Sequence, residues 1–129
     1  MKSAVVLVID ANADNLHWKE GFLEETLEDQ AVICRGPTPQ RRCPLLTGHD
    51  CSMIHAADGI LFELDLDKDE SRQILERYTE ILDIPIRVVA TEDDARKFSS
   101  LLSKVEIVTP PIGPAKLDAF AAEVEAEAG

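Results

Sequence analysis

Apolar residues in this chain fall into two alternating patterns. Short runs rich in β-branched residues recur at Val5-Val6-Leu7-Val8-Ile9, Ala31 to Cys34, Gly59 to Leu64, Ile86 to Ala90 and Val105 to Val108. Runs of this length that are apolar throughout, not only at every second position, suit strands buried on both faces. The segments between them mostly follow a helical repeat. Leu16, Leu23 and Leu27 share one face of a predicted helix and Glu20, Glu24 and Glu28 another, with Asp14 or Asn15 available as its cap. Ile74, Leu75, Tyr78, Ile81 and Leu82 mark a second helix, and Ala95, Phe98, Leu101 and Leu102 a third. Leu117, Phe120, Ala121 and Val124 mark the last one, which Pro114 is suited to start.

Strands that alternate with helices on this spacing imply parallel pairing, right-handed crossovers and helices on both faces. The predicted fold is therefore α/β: a doubly wound, five-stranded parallel sheet of order 2-1-3-4-5, flavodoxin-like. The whole chain, 1–129, reads as one domain without repeats or a linker. Two stretches depart from the alternation. Residues 35–50, rich in Pro, Gly and Arg, have no readable period where a second helix is due, and such segments are often functional or mobile. The Ala/Glu-rich tail, 123–129, is expected to be a fraying helix end.

Charge narrows the classes of function. With 25 acidic against 13 basic residues, the net charge of −12 disfavours nucleic acid and anionic membrane surfaces as partners. The longest apolar run, Ala4 to Ile9, is too short to span a bilayer, and no signal peptide is evident after Lys2. A cytoplasmic protein with mostly reduced cysteines is the expectation.

In a sheet of this order, ligands gather outside the carboxyl ends of the strands. Asp10, Ala11 and Asn12 fall there after the first strand, Glu63 on the third, Ala90 and Thr91 after the fourth, and Thr109, Pro110 and Pro111 after the fifth. Together with Val6-Leu7-Val8-Ile9-Asp10, Ile84-Pro85-Ile86-Arg87-Val88-Val89-Ala90 and Val108-Thr109-Pro110-Pro111, this set resembles the response-regulator receiver family over nearly the whole chain. The resemblance also implies that the phosphorylation set is degenerate. Of the acidic pair that binds magnesium in the family, Asp10 remains and Ala11 replaces its neighbour. Glu63 stands where the phosphoacceptor aspartate would be, Ala90 replaces the hydroxyl residue with Thr91 one position away, and Pro110 replaces the lysine after Thr109. Ile107 stands where the family has a switching aromatic. Magnesium is therefore not expected. Asp10 and Glu63 read either as leftover surface carboxylates or as a weak cation site, with Asn12 as a neutral oxygen ligand.

A second constellation lies in the irregular segment. Cys34, Cys43 and Cys51, the only cysteines, fall between positions 34 and 51, with His49 and His55 close by. Cys34, Cys43, Cys51 and His55 have the ligand chemistry for zinc or an iron–sulfur cluster, and Cys51 and His55 would share a face if the segment from Cys51 to Ala57 were helical. A Cys43–Cys51 redox pair or three unligated thiols are the alternatives. Arg35, Arg41 and Arg42 form the sole basic cluster, suited to carboxylate or phosphate or simply solvated.

The expected function is a stand-alone, phosphorylation-independent pseudo-receiver, not an enzyme, that acts on a protein partner in trans. By resemblance, a homodimer is expected through helix 4, strand 5 and helix 5, here between Ala95 and Ala121. The alternative is a metal-binding or redox-sensing module built on the cysteine-bearing loop.

Overall fold

The computed structural model describes residues 4–128. Five strands, β1 (Val5–Asp10), β2 (Gln30–Cys34), β3 (Gly59–Glu63), β4 (Ile86–Val89) and β5 (Glu106–Val108), form one parallel sheet of order β2-β1-β3-β4-β5. The helices are α1 (Ala13–Gly21), α2 (Ser52–Ala56), α3 (Asp69–Ile81), α4 (Glu92–Lys97), α5 (Ser99–Leu102) and α6 (Pro114–Ala128). The doubly wound α/β fold expected from the apolar pattern is the fold observed.

Alternate residues of β1 divide the core into two layers, as the pleat requires. Leu7 and Ile9 pack with Ile60, Phe62, Ile74, Leu75 and Tyr78 under α2 and α3. Val6 and Val8 pack with Leu16, Leu23, Leu117, Phe120 and Val124 on the opposite face, under α1 and α6. The second layer is tight where α6 crosses the start of β3. A Cβ built on Gly59 would lie 2.4 Å from a methyl group of Val124, so only a glycine lets helix and strand approach this closely.

Several local expectations are corrected. Asn12, not Asp14 or Asn15, caps α1: its side-chain oxygen accepts the Asn15 N–H at 3.0 Å. After Gly21, α1 continues as a wider π-helical turn, Phe22–Thr26. The predicted third helix is divided into α4 and α5 at Phe98, whose backbone leaves the helical region. In the tail expected to be a fraying helix end, 123–129, the described residues are helical through Ala128 and Val124 is fully buried, while Gly129 lies outside the described residues. Residues 35–50 are irregular as expected, apart from a 3-10 turn at Pro44–Thr47 and a single bridge between Thr38 and Arg41.

Candidate functional site

The parallel register of β1 and β3 sets Asp10 directly beside Glu63 at the carboxyl end of the sheet. Two carboxylates at this spacing repel unless a cation lies between them. That cation is Lys19. It sits on the inward face of α1, three residues after Leu16 and four before Leu23, and its side chain is 1% exposed. The ammonium group donates to Asp10 Oδ2 at 3.5 Å and to Glu63 Oε1 in a shorter contact. Asp10 is itself buried, and its other oxygen accepts the Asn12 N–H at 2.9 Å.

A buried ammonium is costly to desolvate, and becomes tolerable only when paired and hydrogen-bonded. Here one positive charge meets two negative ones, a ratio that leaves Glu63 under-compensated. Burial pushes the Glu63 carboxyl above the usual glutamate range, against the opposing pull of Lys19. The Asp10 and Glu63 pair is thus neither a set of loose surface carboxylates nor an open cation site. Its cation belongs to the chain itself.

The other receiver-like positions are engaged elsewhere. Asn12, suggested as a neutral ligand, is the helix cap. Ala11 is exposed and Ala90 buried. The Thr91 hydroxyl accepts the Asp94 N–H at 3.1 Å, and Asp94 returns a bond from the Thr91 N–H at 3.2 Å, a reciprocal cap that commits this hydroxyl to α4. Thr109 and Pro110 are exposed, with the Thr109 carbonyl accepting from Lys116. Lys19 was not singled out in the sequence. Its signal was legible, however: a lysine at helical spacing between Leu16 and Leu23 breaks an otherwise apolar face.

The cysteines occupy a different region. Cys34, Cys43 and Cys51 are free thiols that line one cavity beside β2. Cys51 precedes α2 instead of joining it and is buried, so it does not share a helix face with His55. His55 is exposed and holds Asp50 at 2.8 Å. The expected tetrahedral set with His55 is therefore not assembled, and among the described residues no group of three or more His, Cys, Asp or Glu is placed to hold a metal. Burial pushes the Cys43 thiol above its ordinary range.

No family model matches the chain, and no curated protein matches it. Solved structures do. The receiver domain of the Francisella response regulator 1452 superposes with a TM-score of 0.68 at 12% identity, over 98% of this chain and 100% of that one. A CheY-like response regulator receiver domain protein from Methanospirillum hungatei JF-1 gives 0.67 at 14% identity, over 98% of each chain. NtrX from Brucella abortus gives 0.67 at 12% identity over 98% of this chain, which spans only 28% of that protein's length. Among the described residues no helix is long and apolar enough to cross a membrane. The strand order, the helical layers and these superpositions agree: the chain has the fold of response-regulator receiver domains.

Proposed function

We propose that this chain is a phosphorylation-independent signalling module of the receiver type, which works through protein–protein contacts in the cytoplasm. The observation that carries the reading is Lys19. A phosphotransfer site of this fold needs a divalent cation to gather carboxylate and phosphoryl oxygens. Here an ammonium on α1 fills the space between Asp10 and Glu63, with no hydroxyl from Ala90 and no cation from Pro110 to receive a phosphoryl group. An ammonium with one charge and three donors does not exchange ligands as magnesium does, so the site is held in one state.

Contact with a partner is best supported on the face of α4, α5, β5 and α6. β5 is an edge strand, and Ile107 on it is among the few large exposed apolar side chains. A homodimer through this face is the proposed arrangement, with a partner protein receiving the output. Sedimentation at rising concentration tests it, with Ile107→Asp expected to leave only monomer; a wild-type chain that is monomeric throughout would remove the dimer.

Phosphorylation independence is tested with acetyl phosphate, or a beryllium fluoride mimic, plus magnesium. Intact mass should be unchanged. The fluorescence of Trp18, the sole tryptophan, should also be unchanged, and its ring lies 6.0 Å from the Lys19 ammonium. Saturable, magnesium-dependent modification at Glu63 or Asp10 would sink the proposal.

A further inference from the structure

The irregular segment encloses a cavity of about 500 Å³ between β2, the 35–44 loop, α2 and α3. That volume falls within the range of about 300–1,000 Å³ found for small-molecule sites. Its floor is apolar, made by Leu7 and Ile9 of β1, Ile54 of α2 and Ile74 of α3. Its rim is cationic. Arg35, Arg41 and Arg42 all line it, and no aspartate or glutamate does, in a chain where acids outnumber bases 25 to 13. None of the three arginines forms an ion pair or a side-chain hydrogen bond with a described residue, whereas Arg72, Arg77, Arg87 and Arg96 all have acidic partners.

A second, independent feature lies inside. Tyr78 is 4% exposed and lines the same cavity, yet its hydroxyl makes no hydrogen bond with a described residue. The hydroxyl is not among the fully buried unpaired atoms, so it stays open to the cavity while the ring is buried. The ring packs edge-on against Phe62, with centroids 6.1 Å apart, which limits its movement. Gly36 completes the wall at φ +79°, where the loop lies against the Leu64 side chain and a Cβ would be strained.

An apolar floor, a phenol donor and three uncommitted guanidinium groups together define a ligand. We propose that this cavity binds a small amphipathic carboxylate, its apolar body on Leu7, Ile9, Ile54 and Ile74 and its head group held by Arg41 and Arg42 at the rim. Guanidinium forks match carboxylate geometry and lose less on desolvation than ammonium groups do. The proposal does not rest on the signalling reading; the site is on the far side of β1 from Lys19 and stands or falls separately.

The cysteines report occupancy. Cys34 and Cys43 are half-buried in the cavity wall, so a bound ligand should shield them from alkylation. The full chain is exposed to iodoacetamide, and the loss of each thiol is followed by mass spectrometry with decanoate, 2-naphthoate, decanol or decylammonium present. A carboxylate is expected to slow alkylation saturably while decanol and decylammonium protect far less; which carboxylate works separates a flexible ligand body from a planar one. Arg41→Ala with Arg42→Ala, both exposed and with no side-chain partner among the described residues, should weaken protection about tenfold or more, as loss of charge-assisted hydrogen bonds does. No protection by either carboxylate, equal protection by decanol, or undiminished protection in the arginine variant would each overturn the proposal. Tyr78→Phe should weaken binding several-fold, and an unchanged affinity would remove the phenol from the site.

Discussion

Two polar regions lie on either side of β1, and they are built on opposite principles. At the carboxyl ends of β1 and β3, buried Asp10 and Lys19 and partly exposed Glu63 bond to one another. Beside β2, Arg35, Arg41, Arg42 and Tyr78 line a cavity, and their side chains bond to no described residue. The first region is where the fold ordinarily does chemistry, and here its charges are spent on one another. The second has no counterpart in the apolar alternation that builds the fold, and its groups are left available. Internal satisfaction marks a structural site, and unpartnered groups around a cavity mark a receptive one.

Removing the cation from each region should sharpen the contrast. Lys19→Met leaves Asp10 and Glu63 facing each other with no counter-charge, and breaking a buried pair in this way costs about 3–5 kcal/mol. The urea midpoint should fall accordingly. Millimolar magnesium or calcium should restore part of the loss in the variant while leaving the wild type unaffected. A variant as stable as the wild type would show that the ammonium is not needed between the carboxylates. The arginine pair should behave differently. Arg41→Ala with Arg42→Ala should change stability by no more than about 0.5 kcal/mol, the usual range for exposed positions without partners. A larger loss would mean that these side chains hold the loop.

The smallest effect expected is a pH dependence. The Glu63 carboxyl is raised in the folded state, mainly by burial. A carboxyl with a raised folded pKa contributes stability below the usual glutamate range, and this is lost as pH rises through the folded value. Glu63→Gln abolishes that titration, so the variant should gain stability relative to the wild type as pH rises from the ordinary glutamate range toward neutrality. Parallel denaturation curves at several pH values measure it. A difference that stays constant, or that moves toward the wild type with rising pH, would show that Lys19 outweighs burial at this carboxylate.

The two regions also differ in how far they could be read in advance. The strands were legible because β1 is buried on both faces, so Val6, Leu7, Val8 and Ile9 must all be apolar. Helix faces were legible for the same reason, although the break at Phe98 and the capping role of Asn12 were not, since both depend on local backbone geometry. At the receiver-like site, the strand ends that carry Asp10 and Glu63 were legible, but the side chain between them was not. By sequence Asp10 and Glu63 read as leftover surface carboxylates or a weak cation site, because their partner comes from α1, nine residues after one carboxylate and 44 before the other.

The apolar periodicity by itself determined the element order, the parallel sheet and the strand ends on which the carboxylates sit, because burial acts on each residue through its own face of strand or helix. Only the tertiary structure decided which charges meet. Pairing of Lys19 with Asp10 and Glu63, the outward turn of His55 and the gathering of three thiols and three arginines around Tyr78 depend on where loops return in space. Electrostatic pairing is a relation between distant residues, and no local pattern encodes it.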